Sequence, residues 1–263
     1  MTAQRIPVLM YHRIGEQTSG WDRHYAVTPA TFAAQMKGLA RHGYQACSLH
    51  AFLDWLDDRA ELPEGSFLIT FDDGFCGVVD HALPVLASLD WPATVFMVSR
   101  RIGAPADWAN AAGSDDRSRH LMDEAELRRL MSAGWAVQSH GRHHLDLTQL
   151  DERGLDDELA GSRSDLAELT GQTVDVLAYP FGRHDGQVTS RVRQAGYRAA
   201  FSVQPGFNRR DADRLALRRL DVFGTDTPGA LRRKLALGSN DGSLVQQLRY
   251  RARRVFARLR PAA

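Results

Sequence analysis

The sequence predicts an α/β protein with the architecture of a distorted, TIM-like (β/α) barrel of about seven parallel strands. Short apolar or β-branched runs alternate with longer segments of helical period along most of the chain. A length of 263 residues suits a single α/β barrel, and a hydrophobic content of 43% supplies enough apolar surface for one core. The number of βα units favours a barrel over an open sheet.

The first βα unit shows the pattern in detail. Residues 6–11 form an apolar run that predicts a buried strand. Thr28 is expected to cap a helix that has Pro29 at its first position, and Gly43 is expected to end it. Start and stop signals therefore agree on one helix after the first strand.

The same signals predict the later elements. Strands are expected over residues 67–71, 93–98, 135–139, 174–179, 199–203 and 215–222. Helices are expected near residues 78–89, after a capping box of Asp123 and Glu126, around 151–170, and over 187–195. Residues 100–120 lack periodicity and predict a long loop, which is either a functional lid or an insertion without a catalytic role.

The chain divides into a catalytic domain of residues 1–242 and a basic helix of residues 243–263. No acidic residue follows Asp241, and RYRARRVFARLR places arginines among apolar residues at helical spacing. This amphipathic helix either packs on the barrel or contacts an anionic membrane surface, with nucleic acid as a third alternative.

Charge, cysteines and apolar segments limit the possible partners and compartments. The net charge of +1 gives no global attraction to nucleic acid, so we expect no such partner. Cys47 and Cys76 are too few for a disulfide framework and are expected to be buried thiols. No segment resembles a signal peptide or a membrane span, which predicts a cytoplasmic protein, including one at the inner membrane face. A chain trimmed of a leader would look the same.

Two adjacent carboxylates follow an apolar strand. In FLITFDDGF the strand of residues 67–71 leads directly into Asp72 and Asp73. Active sites of parallel α/β folds lie at this carboxyl end of the strands. Consecutive residues that leave a strand point in different directions, so one carboxylate can face a metal ion and the other a bound water. The alternative is a capping role for the pair.

A histidine pair follows another predicted strand. In VQSHGRHHLDL, His140 and His144 are four residues apart, and on a helical turn this spacing places both imidazoles on one side. Two histidines and a carboxylate make an open metal site, for which Asp72 is available as the general base. His143 should point away. The alternative is a solvated histidine cluster.

These motifs lead to a family resemblance. TFDDG, the histidine pair and a later strand ending in Tyr-Pro-Phe-Gly together resemble the polysaccharide deacetylases of carbohydrate esterase family 4, over about residues 8–222. The resemblance implies that Asp72 is the general base and that the metal ligands are Asp73, His140 and His144. It also implies that Phe181 supplies a backbone N–H to the oxyanion, with Tyr179 as a second candidate substrate-binding residue.

The chain departs from the commonest family pattern at three places. Ala178-Tyr179-Pro180 lacks the arginine that often precedes this proline, and Arg219 in LALRRLDV is the candidate substitute that would orient Asp72. A surface ion pair is the alternative for Arg219. Gly141 stands where Ser or Thr is frequent, which removes a hydroxyl that could brace the loop.

The third departure concerns the general acid. No histidine follows His184, so the C-terminal Leu-His of the family is missing. The opening VLMYHRIG resembles the branch that acts on poly-N-acetylglucosamine exopolysaccharides, where the histidine after the first strand takes this role. The resemblance therefore implies His12 as the acid, and the alternative is a histidine hydrogen-bonded within the barrel rim.

The expected function is metal-dependent removal of N-acetyl groups from an N-acetylhexosamine-containing glycan. The mixed ligand set fits zinc best, with nickel, cobalt and manganese as alternatives. Two rival functions stay open: a non-catalytic carbohydrate-binding barrel, and a metal hydrolase of another amide, formamide or ester bond. Trp108 and Trp21 are either cleft residues or structural ones. The sequence does not predict the oligomeric state.

Overall fold

The computed structural model describes residues 4–17, 22–106, 108 and 119–248. The strands are β1 (Val8–Tyr11), β2 (Arg13–Ile14), β3 (Ala26–Val27), β4 (Gln45–Ala46), β5 (Ser66–Phe71), β6 (Thr94–Met97), β7 (Ala136–Ser139), β8 (Val176–Ala178), β9 (Ala199–Phe201) and β10 (Leu220–Asp221). The α-helices are α1 (Asp22–Tyr25), α2 (Pro29–Arg41), α3 (Leu49–Leu56), α4 (Leu83–Ala87), α5 (Glu124–Ser132), α6 (Glu152–Asp156), α7 (Ser162–Thr170), α8 (Gly186–Gln194) and α9 (Pro228–Leu237).

Seven parallel strands form the main sheet in the order β10, β1, β5, β6, β7, β8 and β9. The short strand β4 also pairs with the start of β5, and β2 pairs with β3 in a separate ribbon. The sheet curls, because the segment before β10 forms a bridge from Leu217 to Phe201 of β9 while Leu220 pairs with Leu9 of β1. This arrangement confirms the distorted (β/α) barrel.

The strands are buried on both faces, as expected for a parallel sheet covered by helices. One cluster joins Val8, Leu68, Phe96, Val176 and Phe201, which come from strands across the whole sheet. Side chains of such distant strands meet only on the concave face. Helix α3 packs into this same cluster, and the other apolar cluster holds alternate strand residues with helices α2 and α4 to α9.

Local signals located several helices correctly. The Thr28 hydroxyl accepts a hydrogen bond from the amide of Thr31, and Pro29 opens α2. Asp123 and Glu126 form the expected capping box at the start of α5. Cys47 and Cys76 are buried free thiols, as expected.

Two expected helices are more irregular than their sequence period suggested. The helix near residues 78–89 begins as a π-helical turn, Val78–Ala82, before α4. The long helix of residues 151–170 is divided by a second π-helical turn, Asp157–Gly161, which lies between α6 and α7. Helices α3 and α9 were not anticipated, although Ser48 and Thr227 cap them in the usual way.

Some sequence-based expectations fall largely outside the described residues. These include Trp21, most of the loop of residues 100–120, and the arginine-rich segment after residue 248. Residues 244–248 are helical. Within the described ranges, no helix combines the length and apolar character needed to cross a membrane.

Candidate active site

The Asp72-Asp73-Gly74 turn stands at the carboxyl end of β5. The Asp72 amide donates to the carbonyl of Tyr11 on β1 at 2.9 Å, so Asp72 still belongs to the sheet. Asp73 then adopts a left-handed backbone with φ 70°. Gly74 has φ 92°, and a Cβ there would lie 2.1 Å from the sulfur of Met97, so only glycine fits. The turn gives each carboxylate its own direction, as expected.

His140 and His144 lie on an irregular loop after β7, which corrects the expected helical turn. Gly141 has φ 78° and His144 has φ 61°, both in the left-handed region that a helix excludes. This conformation is energetically unfavourable for a non-glycine residue such as His144, and such positions cluster at functional sites. The two imidazoles converge because of this backbone reversal rather than a helical spacing.

Asp73, His140 and His144 meet at one point. The Oδ1 atom of Asp73 lies 3.4 Å from Nε2 of His140 and 3.3 Å from Nε2 of His144. One ligand atom from each residue lies within 4.8 Å of the others. The structure thus brings together three side chains from two separate sequence motifs, in a group that could hold a metal ion.

The surroundings of the two histidines shift their pKa values in opposite directions. Nδ1 of His140 lies 2.8 Å from the carbonyl of Ala178, to which it must donate, so in the neutral imidazole the lone pair is on Nε2, the atom that faces Asp73. Burial lowers the pKa of His140, but the negative charges of Asp72 and Asp73 outweigh burial and leave the pKa raised. Burial lowers the pKa of His144 to about 4, so this imidazole is neutral at pH 7.

The donor set fits a divalent cation. Asp73 is 3% exposed, and its Oδ1 makes no hydrogen bond within the described residues although two imidazole nitrogens face it. Burial raises the pKa of Asp73, but His144, which is charged at the acidic pH where Asp73 titrates, and the hydrogen bond from His140 outweigh burial and leave the pKa lowered. The carboxyl is therefore anionic at pH 7. A buried carboxylate aimed with two imidazoles at one point is a common zinc arrangement with an open position.

Asp72 is held by Arg219 instead of by the histidines. The guanidinium donates from Nη1 to Oδ1 at 2.6 Å and from Nη2 to Oδ2 at 2.8 Å, and Arg219 is fully buried. Burial raises the pKa of Asp72, but the charge of Arg219 outweighs it and leaves the pKa lowered. Arg219 is therefore not a surface ion pair, and its guanidinium contacts both carboxylate oxygens of Asp72.

His12 follows β1 directly and stands at the same edge of the barrel. Tyr11 pairs with Phe71 in the parallel register, so His12 is level with Asp72. The charge of His12 acts to lower the pKa values of both Asp72 and Asp73. Its ring contacts the edge of Tyr25 at a centroid distance of 5.1 Å.

Phe181 and Tyr179 have different surroundings. Phe181 has φ 58° and is 52% exposed, and its ring centroid lies 4.6 Å from that of His144, so its side chain stands beside this imidazole. Tyr179 is fully buried, and its hydroxyl donates to the carbonyl of Leu215 at 2.9 Å. The expectation of substrate contact by Tyr179 is corrected accordingly, because a side chain without exposed surface cannot line a cleft.

Other groups near the site were foreseen only in part. Trp108 stacks on His144 at a centroid distance of 4.4 Å, which favours the cleft interpretation of this tryptophan. Tyr25 at the end of α1 and Asp221 of β10 lie near His12 but were not predicted. His143 points away from Asp73, as expected, and pairs with Glu158 at 2.6 Å. No local sequence signal distinguishes Glu158 from the other acidic residues of its helix.

The comparisons with known proteins agree with this geometry. The model of the family described as Polysaccharide deacetylase matches residues 59–200, more than half of the chain. The Bacillus subtilis protein YxkH, named as a candidate polysaccharide deacetylase, is 28% identical over 218 residues, which are 83% of this chain and 71% of that protein.

A second relative and a solved structure extend the likeness. The poly-beta-1,6-N-acetyl-D-glucosamine N-deacetylase of Staphylococcus epidermidis is 24% identical, over 77% of this chain and 71% of that protein. The structure of the Streptococcus pyogenes deacetylase PplD in complex with acetate has a TM-score of 0.77 at 22% identity. That alignment covers 89% of this chain and 99% of PplD, and shows a common fold.

Proposed function

Because this chain belongs to the polysaccharide deacetylase family and is a hydrolase of glycan N-acetyl groups, we propose that Asp72, His12 and the Asp73-His140-His144 cluster form its catalytic centre. The single observation that carries this proposal is the convergence of Asp73 with both imidazoles beside the Asp72–Arg219 pair. A carbohydrate-binding barrel without turnover would not need a buried anionic base beside a set of metal ligands.

The residues of the centre have separate tasks. A divalent cation held by Asp73, His140 and His144 would supply the positive charge that polarises an acyl carbonyl and acidifies water. Asp72, kept anionic by Arg219, accepts the proton of the attacking water. The amide of Phe181 offers a hydrogen bond to the developing oxyanion, and His12 donates a proton to the departing amine.

Zinc is the proposed metal. Two imidazole nitrogens and one carboxylate oxygen form an open three-ligand set of the kind that zinc occupies in hydrolases. Imidazole also suits nickel and cobalt, and a carboxylate suits manganese, so the purified protein should be assayed with each of them. Metal content of the protein as isolated, together with reactivation after chelation, tests the assignment.

The proposed substrate is a polymer of N-acetylglucosamine or a closely related N-acetylhexosamine. The support is the poly-beta-1,6-N-acetyl-D-glucosamine N-deacetylase relative, together with exposed apolar surface beside His144. Phe181 is 52% exposed and Leu145 is 43% exposed, and aromatic and aliphatic faces of this kind contact the apolar faces of sugar rings.

Acetate release is the decisive measurement. The wild-type protein loaded with Zn²⁺ should release acetate from β-1,6-linked N-acetylglucosamine oligomers, and exhaustive chelation should abolish the release. Asp72→Asn should keep the metal but lose activity about 10²- to 10⁴-fold, as expected for loss of a general base. His140→Ala should lose both metal and activity. Preference for formamides or simple aryl esters over every glycan would instead favour the rival hydrolase function.

We also propose that the C-terminal basic segment contacts an anionic membrane surface. Leu244, Val245 and Leu248 are 62%, 57% and 65% exposed, so the described start of this segment carries apolar side chains that the barrel does not cover. Apolar side chains next to arginines are typical of interfacial helices. Flotation with vesicles that contain anionic lipid should require residues 243–263, and flotation unchanged by their deletion would contradict the proposal.

A further inference from the structure

We propose that Glu158 is a positioning residue that holds the backbone of the loop carrying His140 and His144. This inference rests on the proposed metal site. Glu158 belongs to the π-helical turn Asp157–Gly161, which carries none of the proposed metal ligands. Single π turns within helices occur frequently at functional sites, because the extra residue redirects a side chain.

Glu158 accepts hydrogen bonds from the loop at three points. Its Oε2 accepts from the backbone amides of Arg142 at 2.8 Å and His143 at 3.1 Å. Its Oε1 pairs with Nδ1 of His143 at 2.6 Å. Glu158 is 1% exposed, so its buried carboxylate depends on these hydrogen bonds in place of water. Both bonded residues lie between the two histidine ligands, and Glu158 therefore fixes the chain that separates them.

Gly141 shows how closely the carboxylate approaches this loop. A Cβ at Gly141 would lie 2.9 Å from Oε2 of Glu158, and the backbone there has φ 78°. A serine or threonine at this position would collide with Glu158. Gly141 has no hydroxyl to stabilise the loop, and Ser162 supplies one instead. Its Oγ donates to the Gly141 carbonyl at 2.9 Å and lies 2.8 Å from Oγ of Ser139.

The arginine of the loop adds a second attachment to the same helix. The Arg142 side chain donates to Asp165 of α7 through Nε at 2.9 Å and Nη2 at 3.2 Å, and it also pairs with Asp157. A Cβ at Gly161 would lie 2.8 Å from this guanidinium. The loop is thus attached to the helix by both its backbone and its side chains. These attachments orient His144, whose backbone is in the left-handed region, toward Asp73.

Two substitutions of Glu158 separate the effect of its side-chain length from the effect of its charge. Glu158→Gln keeps the length of the side chain and one oxygen that accepts from both amides. Glu158→Asp keeps the charge but is one methylene shorter and cannot reach them. Glu168, an exposed acid on α7, provides the matched control Glu168→Gln. Each protein is stripped of metal, and its Zn²⁺ affinity is measured by competition with a chromophoric chelator, with acetate release and metal-free Tm measured in parallel.

We expect Glu158→Asp to weaken Zn²⁺ binding about 10- to 100-fold, the usual effect of losing an outer hydrogen-bond partner of a metal ligand. Glu158→Gln should stay within about threefold of the wild-type affinity, and Glu168→Gln should match the wild type. The reverse order, in which the Glu158→Asp variant binds Zn²⁺ well and the Glu158→Gln variant binds it poorly, would overturn the proposal. It would show that the charge of the side chain matters rather than its hydrogen bonds from the two amides. Wild-type affinity in both variants would overturn it as well.

The metal measurement separates this inference from the proposed function. A purely structural role would lower the metal-free Tm of Glu158→Asp without weakening Zn²⁺ binding by the folded protein, and that result would contradict positioning. If the wild type binds Zn²⁺ but deacetylates no glycan, the proposed function fails while the Glu158 comparison still stands. If the wild type binds none of Zn²⁺, Ni²⁺, Co²⁺ and Mn²⁺, both fail.

Discussion

Arg219 and Asp72 form a two-point ion pair in the interior of the barrel, although 147 positions separate them in the sequence. The guanidinium also donates from Nε to the carbonyl of Ser202 at 3.0 Å, and the rings of Phe96 and Phe201 lie within 6 Å of its central carbon. Arg219 is therefore rigidly held, and it fixes both the direction and the charge of the proposed base.

Replacing Arg219 should alter the pH dependence of catalysis. Arg219 lowers the pKa of Asp72, so Arg219→Met should raise it, and the acidic limb of kcat/KM should move up by about one to three pH units. Stability should fall by about 3–5 kcal/mol, because a buried carboxylate loses its partner. Arg219→Lys keeps the charge without the two-point geometry and should be intermediate. An unmoved acidic limb in both variants would contradict the orienting role.

Replacing His12 should affect only substrates with poor leaving groups. A departing amine needs a proton, so His12→Asn should lower kcat on N-acetylglucosamine oligomers by about 10²- to 10⁴-fold. Hydrolysis of p-nitrophenyl acetate should change little, since its phenolate leaves unprotonated. Zn²⁺ content should be unchanged. His50→Asn, on the exposed face of α3, serves as the control. Equal losses on both substrates would assign His12 a different role.

His144 should make the metal-free protein sensitive to acid. Burial lowers its folded pKa to about 4, whereas an unfolded histidine titrates near pH 6.5. The unfolded state therefore binds more protons in this window, and the free energy of unfolding should fall as the pH decreases, by up to about 3 kcal/mol. His144→Asn, whose side chain tolerates positive φ, should lack this component. Urea titrations at pH 7 and pH 4 on both proteins measure the difference.

Phe181 should contribute to catalysis through its backbone rather than its ring. Phe181→Gly keeps the amide and removes the steric cost of φ 58°, which should raise the free energy of unfolding by about 1–2 kcal/mol. Loss of the ring contact with His144 acts in the opposite direction. We expect kcat within about tenfold of the wild type, with a larger change in KM for oligomers. Phe181→Ala keeps the backbone strain and should be less stable than Phe181→Gly. A 10³-fold loss of kcat in the glycine variant would show that the ring participates directly.

Local patterns in the sequence determined much of this protein. The alternation of apolar runs with helical periods located the seven-stranded sheet, and capping residues such as Thr28 and Asp123 located the helix starts. Their positions directly after predicted strands identified Asp72, Asp73 and His140 as candidate functional residues. These features were predictable because hydrophobic period and capping depend on residues within a few positions of one another.

The tertiary structure alone decided how these groups work together. The imidazole of His144 reaches Asp73 through a left-handed backbone, not a helical turn, and the buried Glu158 supports that loop from a different helix. Tyr179, adjacent to the site in sequence, proved to be part of the core. Arg219 reaches Asp72 only because the barrel curls its last strand back beside the first. Such contacts depend on chain closure and burial, which no local pattern of residues encodes.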